Sequence, residues 1–169
     1  TPYFLSTDVQ IVDNEVDNAG GDGIDVEGVS NLLVALNDVD NAGDDGIHVL
    51  GYAGFFAGDD EDIDFEGETV LVGANPGVLP DFIANVNNND VNNSGDDGIH
   101  VSNVDTLLAT SNTVDISGGD GFQINSDSFF DIETEIGASI LFQGNNVSNS
   151  IVNGLYVSGP GNGFVRFLG

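Results

Sequence analysis

Apolar and polar residues alternate along this chain in short bursts, and the bursts return in register. The clearest row is Asn37-Asp38-Val39-Asp40-Asn41-Ala42-Gly43-Asp44-Asp45-Gly46-Ile47-His48-Val49. Related rows start at Asn14, Asn89, Asn112 and, in decayed form, Asn145. In the row from Asn37, Ile47 and Val49 flank a polar residue; Ile24 and Val26, Ile99 and Val101, Phe122 and Ile124, and Leu155 and Val157 hold the same places. Two residues after each Asn stands Val16, Val39, Val91, Val114 or Val147. Before the Asn residues come the apolar pairs Val9 and Ile11, Leu32 and Val34, Ala84 and Val86, Leu107 and Ala109, and Ile140 and Phe142. Alternation with a period of two marks a strand with one buried face. The columns therefore predict three short strands per repeat. No stretch has the i, i+3, i+4 spacing of an amphipathic helix.

The rows at Asn14 and Asn37 lie 23 residues apart, as do those at Asn89 and Asn112, while the other two steps are 52 and 33 residues. A period in this range points to a solenoid, whose coils bury their apolar faces only against one another. The longer steps place insertions at about 50–82 and 126–136. The first is either a long excursion or a degenerate extra coil. The whole chain, 1–169, is expected to be one all-β domain, a parallel β-helix of about 23 residues per coil. The pattern resembles the right-handed parallel β-helix of pectate-lyase-like proteins and of many secreted surface proteins, autotransporter passengers among them. The resemblance covers Val9 to Val157. It implies the fold and its right hand, and a place at the cell surface or outside the cell.

Charge changes the picture most. Asp and Glu total 29 against one Arg and no Lys, for a formal net charge of −28. Such a surface repels nucleic acid and anionic membranes. Extreme charge usually signals disorder, but the regular apolar columns argue against it. There is no Cys, so neither disulfides nor thiolate chemistry are available. No apolar run approaches the length of a membrane-spanning helix. The start at Thr1, without a signal-peptide pattern, fits a piece of a longer or processed protein.

Candidate chemistry lies in the polar columns. Asn14, Asn37, Asn89, Asn112 and Asn145 would stack as an amide ladder inside a turn. Asp22, Asp45, Asp97 and Asp120 precede Gly23, Gly46, Gly98 and Gly121, which are expected to supply a left-handed turn conformation. Stacked carboxylates repel, and calcium, which takes oxygen ligands, would relieve them. Asp44 and Asp96 add ligands beside the column, and the run holding Asp59, Asp60, Asp62 and Asp64 is a second acidic candidate. His48 and His100 hold equivalent places; as neighbours they would suit a transition metal or titrate near neutral pH.

Asp22, Asp44 and Asp45 also resemble the carboxylate constellation of polygalacturonase-type glycoside hydrolases, which share this fold. The resemblance implies an acid and a base across a sugar. That family's His-Gly pair and basic sugar clamp have no counterpart here, and lyases of this fold need an Arg or Lys base. Two readings thus stand. One is an extracellular structural or adhesive solenoid, calcium-associated, assembling head to tail with itself or with flanking coils, with Phe55-Phe56 and Phe129-Phe130 as contact points. The other is a carbohydrate-active β-helix that cleaves or binds polysaccharide.

Overall fold

A computed structural model describes residues 8–51, 82–104, 106–125, 139–158 and 164–168. Among them there is no helix. The first coil consists of β1 (Val9–Val12), β2 (Glu15–Asp17) and β3 (Ile24–Glu27). The second is β4 (Asn31–Ala35), β5 (Asp38–Asp40) and β6 (Ile47–Leu50). The third is β7 (Ile83–Asn87), β8 (Asp90–Ser94) and β9 (Ile99–Ser102). The fourth is β10 (Thr106–Thr110), β11 (Thr113–Ser117) and β12 (Phe122–Asn125). The fifth is β13 (Ser139–Gln143), β14 (Asn146–Ser148) and β15 (Leu155–Ser158), and β16 (Phe164–Leu168) follows it.

Each strand pairs in parallel with its counterpart one coil away. The first sheet runs β1-β4-β7-β10-β13-β16, the second β2-β5-β8-β11-β14 and the third β3-β6-β9-β12-β15. This is the right-handed parallel β-helix that the alternation predicts. Its hand is the one that a crossover between parallel strands takes.

The register stacks like on like. Val39 lies opposite Val91, Ile47 opposite Ile99, and Val34 opposite Val86. Their side chains fill the interior and are wholly buried in the middle coils. Each such aliphatic side chain contributes about 1.5–3 kcal/mol by leaving water. Where the first sheet narrows to Ala109, the next coil answers with Phe142, whose ring meets Phe122 edge to face at 4.8 Å. Because β6 pairs directly with β9, no coil stands between the rows at Asn37 and Asn89. The alternative of an extra coil is thereby removed. Residues 52–81 and 126–138, which hold nearly all of the two expected insertions, lie outside the described residues, and with them Asp59, Asp60, Asp62, Asp64, Phe55-Phe56 and Phe129-Phe130.

The corners correct one expectation. Gly23, Gly46, Gly98 and Gly121 are not left-handed. They are glycines because the coils touch there: a Cβ on Gly46 would sit 2.2 Å from Val91 Cγ1 and 2.6 Å from the Gly98 carbonyl oxygen. Besides Asp8, Gly28 and Asn103, the left-handed residues form two other columns. One lies just before each ladder Asn, at Asp13, Leu36, Asn88, Ser111 and Gly144. The other lies four residues after it, at Asn18, Asn41, Asn93, Ile116 and Asn149. Their φ values run from 53° to 62°; the first bend precedes each strand of the second sheet and the second falls at its far end, inside the strand at Asn93 and Ile116.

Ile116 is the misfit of its column. A β-branched residue at positive φ costs about 1–2 kcal/mol. Its side chain is 47% exposed, so little burial offsets the strain. Ile116→Asn should raise the free energy of unfolding in urea by about 1 kcal/mol. A loss of stability would show that the side chain's packing outweighs the backbone.

Candidate functional site

Two polar columns run along the stack, one amide and one carboxylate. In the first, Asn14 Nδ2 donates to Asn37 Oδ1 at 2.9 Å, Asn37 to Asn89 at 3.0 Å, Asn89 to Asn112 at 2.9 Å and Asn112 to Asn145 at 2.8 Å. Each acceptor oxygen also takes the backbone N–H of the Asn one coil earlier. The remaining amide protons go to carbonyls of the preceding coil, Asn37 to Ile11, Asn89 to Val34, Asn112 to Val86 and Asn145 to Ala109. Asn37, Asn89 and Asn112 are buried, and every donor and acceptor of their side chains is used. This column is structural.

The carboxylate column works in the opposite direction. Asp22 Oδ1 accepts from Asp45 N–H at 3.1 Å, Asp45 from Asp97 at 3.0 Å, Asp97 from Asp120 at 2.7 Å and Asp120 from Asn153 at 2.8 Å. Asp45, Asp97 and Asp120 are buried. Stacked charges about 5 Å apart cost roughly 0.8 kcal/mol per pair even in water. Burial, together with the charges of Asp45 and Asp96, pushes the Asp97 carboxyl up to about 6, although the Asp120 N–H works against the rise. Asp22 is likewise raised, chiefly by burial.

The outward face of the third sheet brings the two histidines beside this column. His48 and His100 are register partners in β6 and β9, with ring centroids 5.1 Å apart. His48 Nδ1 lies 3.1 Å from Asp25 Oδ1 and 3.7 Å from Asp22 Oδ2. His100 Nδ1 lies 3.2 Å from Asp45 Oδ2 and 3.9 Å from Asp97 Oδ2. The hydrogen bond to Asp45 raises the His100 pKa, with further help from the charges of Asp45, Asp97 and Asp96 and against the effect of burial. On its other side, His100 Nε2 lies 3.3 Å from Gln123 Nε2 and 3.1 Å from Asn125 Nδ2. Sequence reasoning paired the two rings but missed these partners. Asp-Gly-Ile-His occurs at both 45–48 and 97–100, which was the available signal.

Two further acidic groups stand out among the described residues. Asp44 and Asp96, both exposed, bring carboxylate oxygens within 4.8 Å of each other and of Asp45. The outward face of the second sheet forms an open groove lined by Glu15, Asp17, Asp38, Asp40, Asp90 and Asp115. Asp115 is held below the usual carboxylate range by hydrogen bonds from Ser148 and Asn149. None of Asp22, Asp44 and Asp45 lines this groove. Asp22 and Asp45 are each engaged by a backbone N–H of the next coil.

The raised groups set a pH dependence. A carboxyl or imidazole whose pKa is higher in the folded state adds stability at low pH, which is lost as pH rises through the folded value. Asp97 therefore makes the fold more stable near pH 5 than at pH 8, by about 1–2 kcal/mol, and His100 acts in the same direction. Asp97→Asn keeps an acceptor for Asp120 N–H, as Asn153 shows that the column admits an amide. It should raise stability at pH 8 and flatten the profile in urea titrations at the two pH values. An unchanged profile would contradict this assignment. Comparison of the chain with protein-family models, with curated proteins and with solved structures gave no match, so this face is read from its own geometry.

Proposed function

We propose that the chain is a structural or adhesive segment of an extracellular or cell-surface protein, a stiff acidic rod that grows by stacking coils end to end. The observation that supports it most is the open last coil. Phe167 is 56% exposed and Val165 39%, although Val86 and Ala109 in the column of Phe167, and Leu107 and Ile140 in that of Val165, are buried under a following coil. Parallel strands at such an end still offer backbone donors and acceptors, and a further coil would satisfy both. That coil comes from a longer chain or from a second copy. The pectate-lyase-like and autotransporter likeness belongs to this reading. Calcium would act on the acidic corner at Asp44, Asp45 and Asp96, where three carboxylates crowd, and along Asp22, Asp97 and Asp120. It would also lower the self-repulsion of a chain with a net charge of −28.

The carbohydrate-active reading keeps one supporting observation. Of its residues Asp22, Asp44 and Asp45, the last two bring carboxylate oxygens within 4.8 Å of each other, near the spacing of about 5–5.5 Å in retaining glycoside hydrolases. Against it, Asp45 is buried and its two oxygens face Asp97 N–H and His100.

Light scattering with and without millimolar calcium, at low and high salt, tests the assembly reading. The expected result is growth into elongated particles with calcium or high salt, reduced by Phe167→Asp at the open coil. A monomer under every condition would set aside self-assembly of this segment.

A further inference from the structure

We propose that the outward face of the third sheet binds one divalent transition-metal ion between the second and third coils, with Asp45, His48 and His100 as its ligands. The chain has only two histidines, 52 residues apart in sequence, and the fold makes them register neighbours. One ligand atom from each of Asp45, His48 and His100 lies within 4.8 Å of the other two. Ligands around a tetrahedral zinc ion, at about 2.0–2.2 Å from the metal, stand about 3.4 Å apart. Closing the triad on an ion thus asks for a side-chain movement of about 1 Å. Both imidazoles are only 20% exposed and keep a path to solvent.

The outer contacts fit the same use. A metal-bound histidine donates its second ring N–H to a neighbouring acceptor, which fixes the tautomer and the ring plane. His100 has two amides at that position, Gln123 and Asn125. Each can turn end for end and present its oxygen to Nε2–H once Nδ1 faces the ion. Around the triad stand Asp22, Asp25, Asp44, Asp96 and Asp97, while the chain's single Arg, Arg166, lies in β16. The site is therefore rich in negative charge with no side-chain ammonium or guanidinium to answer it. Two imidazoles select late first-row metals such as zinc over calcium and magnesium, which prefer oxygen alone. The ion would pin two coils together at the level where the insertion 52–81 leaves the chain.

The test uses the full chain and zinc chloride. Calorimetric titration should show one tight equivalent that excess calcium does not displace. The two imidazole signals, followed by long-range proton–nitrogen NMR, should both shift on saturation. Loss of an outer-shell partner typically weakens metal binding by about 10–100-fold, and loss of a ligand by more. His48→Gln and His100→Gln should each weaken zinc binding by more than about 100-fold, and Gln123→Ala by about 10-fold. Gln already occupies this column at Gln123, so both variants should fold, and urea unfolding without metal checks it. Cobalt should give the absorption of a low-coordinate nitrogen–oxygen site, lost in His100→Gln. Imidazole signals that do not move in the wild-type chain would overturn the proposal without any variant. So would wild-type zinc affinity in His100→Gln, because an ion seated on Asp22, Asp25 and His48 would not need that ring.

Discussion

The rest of the structure depends on the buried amide ladder. A coil of about 23 residues must turn three times, and each turn takes backbone polar groups away from water. At the corner between the first and second sheets, the answer is one asparagine per coil. It accepts from the backbone and side chain of the coil below and donates to the coil above, and it also caps a carbonyl at the strand end. The left-handed residue just before it sets the bend that brings the amide inward. Register, corner geometry and polar satisfaction thus meet in one residue, and the apolar columns follow from it.

The carboxylate column at the next corner solves a similar problem at greater cost. A carboxylate oxygen accepts the N–H of the following coil, so each Asp ties its coil to the one above while each ladder oxygen takes its bonds from the coil below. Charge is the cost. Asp97, buried between Asp45 and Asp96, keeps its proton into the mildly acidic range. The stack is therefore held by its amides and its core and strained by its aspartates. Cations are the natural relief, and the third sheet places imidazoles where a cation would serve best. The acidic corner of Asp44, Asp45 and Asp96 and the histidine triad share only Asp45.

Much of this was legible in the sequence. Strand type and inward face follow from the period of two, and columns such as Val39, Val91 and Val114 fix the stacking. The left-handed columns were not legible as a set, because Asp13, Leu36, Asn88, Ser111 and Gly144 share no chemistry. The other column, Asn at four of its five positions, carried the signal, yet the Asp-Gly pairs drew the turn assignment instead. Those glycines answer interlayer contact, which depends on the distance between coils and leaves no local signature. The neighbourhood of His100 was hidden for a related reason. Asp45 meets it only because the 52-residue step closes into one coil, while Gln123 and Asn125 reach it from the next coil.

Equilibrium unfolding of Asn89→Ala beside Asn14→Ala tests the ladder most directly. Asn89 lies mid-column, and its loss leaves Asn37 N–H, an Asn37 amide proton and the Val34 carbonyl unpaired in a dry corner. Each such group costs about 1–3 kcal/mol, so Asn89→Ala should lose about 3–5 kcal/mol. Asn14 is exposed and only donates to the ladder, and its replacement should cost less than about 1 kcal/mol. Similar small losses for both would contradict the account and leave the apolar columns as the main support of the stack.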